Sequence, residues 1–70
     1  MSKVKPNVTE KRLKEIEAIQ DRIRTLADEY KKDFAEPNPL DASIQRDMKA
    51  ALDSLEFLKS FYKSKTEKES

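Results

Sequence analysis

The sequence predicts an all-α fold, an antiparallel two-helix hairpin of coiled-coil character. Three observations predict it. Apolar residues recur at gaps of three and four through two long stretches. Glycine, which tight hairpins of strands use at positive φ, is absent from the whole chain. A single break, Pro37-Asn38-Pro39, divides the two stretches.

Residues 1–7 carry no apolar pattern and are expected to be a flexible N-terminus. Asn7 is placed to cap a helix, with Glu10 three residues on to complete a capping box, and Thr9 is a competing cap. Apolar residues then fall at Leu13, Ile16, Ile19, Ile23, Leu26, Tyr30 and Phe34, and Ile16 to Tyr30 follows the a/d heptad rule. The residues between them are mostly charged, and pairs such as Glu10–Lys14 and Asp28–Lys32 sit at i, i+4 in the favourable order. The first helix is therefore expected over about 8–35, a rod of roughly 40 Å at about 1.5 Å per residue.

Pro37 disfavours the α region for Glu36 and ends that helix, leaving a turn over 36–38. Asn38 reads as the next N-cap, Pro39 as N1, where its missing donor is harmless, and Asp41 as N3 beside the positive helix end. Leu40, Ile44, Met48, Ala51, Leu52, Leu55, Leu58 and Tyr62 continue the second stripe, predicting a helix over about 39–63. Residues 64–70 hold no apolar side chain and are expected to be disordered.

At 70 residues, one small core supplies only about 3–5 kcal/mol, and folds of this size need a staple. With neither Cys nor His, disulfides and structural zinc are not expected to provide it. Association is the route left: a partner, or a second copy completing a four-helix bundle. The outward flanks of Leu13, Ala27, Phe34, Leu52 and Leu58 are expected to stay partly wet in a lone hairpin.

Helix 2 carries a second apolar surface. On a wheel of about 100° per residue, Phe57 lies about 140° from the centre of the main stripe, Ala50 about 120° and Phe61 about 100°. A helix that is apolar on two sides is buried on two sides. Ala50, Ser54, Phe57 and Phe61, with the adjoining Leu58 and Tyr62, are thus the candidate partner-binding residues. The bland alternative is a pair of incidentally exposed aromatics.

Catalysis needs a nucleophile beside a base or a positioned acid–base pair, and without His or Cys the commonest arrangements are gone. Ser43, Ser54 and Ser60 have no base designed around them, so no catalytic residue, cofactor site or metal site is assigned and the chain is read as a non-enzyme. Fifteen basic against fourteen acidic residues give a formal charge of +1. The basic cluster Lys11-Arg12-Lys14, with Arg22 and Arg24, is interleaved with Glu10, Glu15, Glu17 and Asp21, so nucleic acid is not the expected partner. No apolar run reaches the roughly 18 residues of a membrane span, and the polar start lacks a signal-peptide core, which places the chain in the cytoplasm as an expectation.

Lys31-Lys32-Asp33, then the break, then Gln45-Arg46-Asp47 and Ala51-Leu52-Asp53-Ser54 ahead of an apolar helix end, resembles the small co-chaperones of type III secretion needle subunits. The resemblance covers roughly Lys31 to Tyr62. It implies a helical hairpin that pairs with a larger tetratricopeptide-like chaperone and keeps the needle subunit unpolymerised, with helix 2 as the partner-binding part. The Pro37-Asn38-Pro39 turn is not a feature of that group. The expected function is an interaction module docking on a larger helical protein as adaptor or co-chaperone. The alternative is a homodimeric four-helix-bundle regulator or scaffold, with nucleic acid as one ligand open to it.

Overall fold

The computed structural model describes residues 3–68. It is an all-α hairpin of two helices packed side by side, α1 (Pro6–Asp33) and α2 (Asp41–Lys65).

α1 starts two residues before the expected Val8, and Asn7 caps nothing. The cap position is Lys5, in an extended conformation and with no side-chain cap bond. Its carbonyl accepts from the Val8 and Thr9 N–H groups, each at 3.0 Å. Pro6 supplies the start signal instead, since its fixed φ suits the first turn and it has no donor to lose. α1 also ends earlier than Ala35. The Phe34 N–H closes the last turn on the Tyr30 carbonyl at 3.0 Å, and Lys31 and Lys32 complement the negative helix end. The Phe34 ring then tilts against Tyr30, centroids 5.0 Å apart.

Asn38 organises the turn through its side chain, but the N-cap is Leu40, which makes no side-chain cap bond, and regular helix begins at Asp41 rather than Pro39. Its side-chain oxygen accepts from the Leu40 N–H at 2.8 Å. The Asp41 carboxylate accepts from the Asn38 N–H at 2.9 Å, and the Asp41 N–H donates to the Asn38 carbonyl at 3.0 Å. This reciprocal bonding is the logic of a capping box.

The two ends differ most from expectation. α2 runs through Ser64 and Lys65, positions expected to be disordered. Val4 and Thr66 form a parallel bridge, with the Val4 N–H donating to the Lys65 carbonyl at 2.9 Å and the Glu67 N–H to the Val4 carbonyl at 2.8 Å. The Thr66 hydroxyl bonds the Tyr62 carbonyl at 2.6 Å, which uses its only proton, so the Thr9 hydroxyl is the donor in the 2.6 Å bond between the two threonines. The contacts of Val4 and Thr9 with residues 65–67 join positions far apart in sequence and have no local signal. Residues 1–2 and 69–70, also expected to be flexible, lie outside the described part.

The seam between the helices differs from the most apolar stripe. On α1 the seam positions Thr9, Leu13, Ile16, Gln20, Ile23, Ala27 and Tyr30, all buried or half-buried, step by four and three in alternation, with Pro6 and Glu29 half-buried off the seam. On α2 the half-buried Asp41, Gln45, Met48, Leu52, Leu55, Lys59 and Tyr62, continued by the C-cap Thr66, do the same, with Ser43, Ile44 and Lys65 half-buried off the seam. Both are heptad seams, as side-by-side helices require. Polar pairs punctuate them: Thr9 with Thr66, Gln20 with Glu56 at 3.1 Å, and Tyr30 with Asp41 at 2.5 Å. Ile16, at 5 % exposure, is the one buried hydrophobic side chain among the described residues.

The hairpin is long and thin, 56 × 18 × 13 Å. Its radius of gyration is 16.3 Å, where a compact chain of this length has about 11 Å. The smallest extent is about one helix diameter, so the molecule is a single layer, whereas cores form between two.

Candidate interaction surface

A layer of two helices has two faces and two edges. One face is mixed: a shallow groove on it is lined by Ile23, Ala27, Met48 and Leu52 together with Arg24, Asp28, Gln45 and Lys49. Gln20 belongs to this side by its wheel position. It is only 2 % exposed, and its amide donates to Glu56, which also pairs with Lys59 at 3.2 Å.

The opposite face is apolar. Its groove is lined by Ile23, Leu26, Ile44, Met48 and Ala51, with Asp47 at the rim. Ile19 and Leu26, read from the sequence as seam residues, turn onto this face and remain 49 % and 40 % exposed. Ile44, Ala51 and Leu58 are their counterparts on α2. Within each helix these residues are spaced by seven, a second heptad stripe beside the first. That spacing was the available signal, and a stripe centred on the most apolar residues hid it.

The predicted partner-binding residues divide between this face and the outer edge of α2. Ala50, Ser54, Phe57 and Phe61 lie on the edge and all are exposed, Phe57 most of the large apolar side chains at 73 %. Phe61, one turn from Phe57, carries the Lys65 ammonium 5.7 Å above its ring, a cation–π contact. Leu58 lies on the apolar face, and Tyr62 is half-buried in the seam. On the wheel the arc from Leu58 through Ser54 and Phe61 to Phe57 is continuous, so face and edge join in one apolar surface. Of the flanks expected to stay wet, Phe34 and Leu58 are exposed and Leu13, Ala27 and Leu52 are half-buried.

The electrostatics are local. The Asp41 carboxyl is held below its ordinary value by the Tyr30 hydroxyl and then by the Asn38 N–H, and Tyr30 is raised by the same bond. Glu56 is lowered by the Gln20 amide and then by Lys59. The basic residues of α1 are largely neutralised: Arg12 meets Glu15 at 2.7 Å, Lys14 meets Glu10 at 3.7 Å, Arg22 meets Glu29 at 3.4 Å and Arg24 meets Asp21 at 3.0 Å. Among the described residues no cluster of three or more metal-ligating side chains forms, and no helix is long and apolar enough to cross a membrane.

Comparison with protein-family models, with curated proteins and with solved structures finds no match. The functional reading therefore rests on the surface itself.

Proposed function

We propose that the chain is a non-enzymatic protein–protein interaction module that docks through the outer edge of α2 onto a larger helical partner, as an adaptor or co-chaperone. One observation carries this reading. Phe57 and Phe61 stand on the solvent side of a helix whose other side already packs on α1, and two small residues, Ala50 and Ser54, lie beside them. Paired aromatics over a shallow small-residue floor supply rigid area at low entropic cost, the usual make-up of a binding hot spot. The resemblance to needle-subunit co-chaperones points to the same helix and to a concave helical partner, within the cytoplasm.

The double variant Phe57→Ala, Phe61→Ala tests it. Both rings are exposed, so helicity by circular dichroism stays near the wild-type value. Capture of the partner that co-purifies with the intact chain falls at least tenfold, the effect of removing about 1.4 kcal/mol or more of binding energy. Equal recovery of that partner by the variant refutes the assignment of the edge. A homodimeric bundle acting as regulator or scaffold is the second reading, and the apolar face favours it.

A further inference from the structure

The apolar face adjoins the partner-binding edge at Leu58 and Ser54 and is not covered by a partner docked on that edge alone, so its cover deepens the homodimeric reading above. We propose that a second copy of this chain covers it, the two hairpins lying face to face and antiparallel as a four-helix bundle.

The charge pattern along the face selects the occupant. At seven-residue steps the stripe on α1 reads Arg12, Ile19, Leu26, Asp33. Its ends carry opposite charges with apolar residues between, so it is complementary to its own reverse, although a contact of Arg12 with Asp33 of the other copy has to compete with the exposed Arg12–Glu15 pair at 2.7 Å. An antiparallel α1–α1 contact sets Ile19 against Leu26 of the other copy and Arg12 against Asp33 of the other copy, twice by symmetry. The stripe on α2, Ile44, Ala51, Leu58, is centred on its smallest member. The same two-fold axis passes near Ala51, where two helices can approach closely, and sets Ile44 against Leu58. The parallel arrangement lays α1 on α2 of the other copy. It brings Arg12 toward Lys65, like charge on like, and loses the pairing of Arg12 with Asp33.

The area agrees. The chain exposes 5803 Å² at 8.2 kDa, against about 4,500 Å² for a compact monomer of that mass. That excess of roughly 1,300 Å² is spread over both faces and edges of the rod, and a homodimer of about 2,000 Å² in total needs about 1,000 Å² of it from each copy.

Sedimentation equilibrium of the full chain tests the proposal, together with two sets of variants. A dimer is expected, with a melting temperature that rises with concentration. The chain has no cysteine, so Ala51→Cys introduces one thiol at the axis. It is expected to form an oxidised dimer, whereas Ile44→Cys and Leu58→Cys cross-link only when mixed. Asp33→Arg places a cation at the negative end of α1 and so favours the isolated helix, yet it is expected to weaken association on the order of tenfold. Adding Arg12→Glu restores it. A folded monomer at about 200 µM overturns the proposal. So does a dimer in which Ala51→Cys never cross-links and the charge swap restores nothing. Phe57→Ala with Phe61→Ala leaves the dimer mass unchanged, so a failure here is distinguishable from a failure at the α2 edge.

Discussion

Tyr30 and Asp41 join the two helices beside the turn, and their bond needs one group protonated and the other ionised. Asp41 is lowered in the fold, as is Glu56, so the unfolded chain binds more protons on the acid side and stability there rises with pH. That contribution is fully present above the unfolded values of about 4 and is lost as pH falls through the lower folded values. Tyr30 is raised, so its contribution is present below about pH 10 and is lost as pH rises through its folded value. Thermal melts across pH are therefore expected to show a plateau between roughly pH 5 and pH 9, falling on both sides. In Tyr30→Phe both limbs flatten. Limbs as steep as those of wild type would show that the bond contributes nothing in solution. Gln20 illustrates the limit of reading single residues. It lies in the middle of α1 with no local mark of burial, yet its amide is enclosed because α2 presents Glu56 opposite. A buried amide left unpaired is costly, which is why the acid is there.

At the scale of the element, start and stop chemistry decided where each helix lies. The Pro37-Asn38-Pro39 break was legible because proline geometry and an Asx bond are local, although the helix cap itself lies at Leu40 and not at Asn38. Asn38→Ala removes the acceptor for the Leu40 N–H and is expected to cost about 1 kcal/mol. For a domain of this size that is a fall of about 4–8 °C in melting temperature at fixed concentration. An unchanged melt would mean that the Asp41 carboxylate alone holds the turn. The bounds were less legible, each shifted by two residues, because Pro6 outcompetes Asn7 as a start and Thr66 ends α2 through a contact with α1. The seam was legible in period but not in phase. Ile19 and Leu26 are the most apolar choices at heptad spacing, yet the packing of α2 places Gln20 and Ala27 in the seam and turns the former pair outward. Hydrophobicity alone reports that a stripe will be covered, and cannot say which neighbour covers it.

At the scale of the whole molecule, two helices form one layer with an uncovered apolar face and an aromatic edge. The candidate partner-binding residues were legible because Phe57 and Phe61 break the single-stripe pattern of α2. The open face was not, because its definition needs both helices in place. The bridge between Val4 and Thr66 has its own consequence. It closes a loop spanning nearly the entire described chain, and the entropy of closing a loop grows with its length. Helical zipping outward from the turn brings in short-range contacts first, so this latch forms after them and opens before them. Native-state amide hydrogen exchange is expected to show the Val4 and Glu67 protons exchanging by local opening, orders of magnitude faster than amides in mid-helix near Ile16. Equal protection at both places would instead make the rod one all-or-none cooperative unit, with no frayed end from which proteolysis could begin.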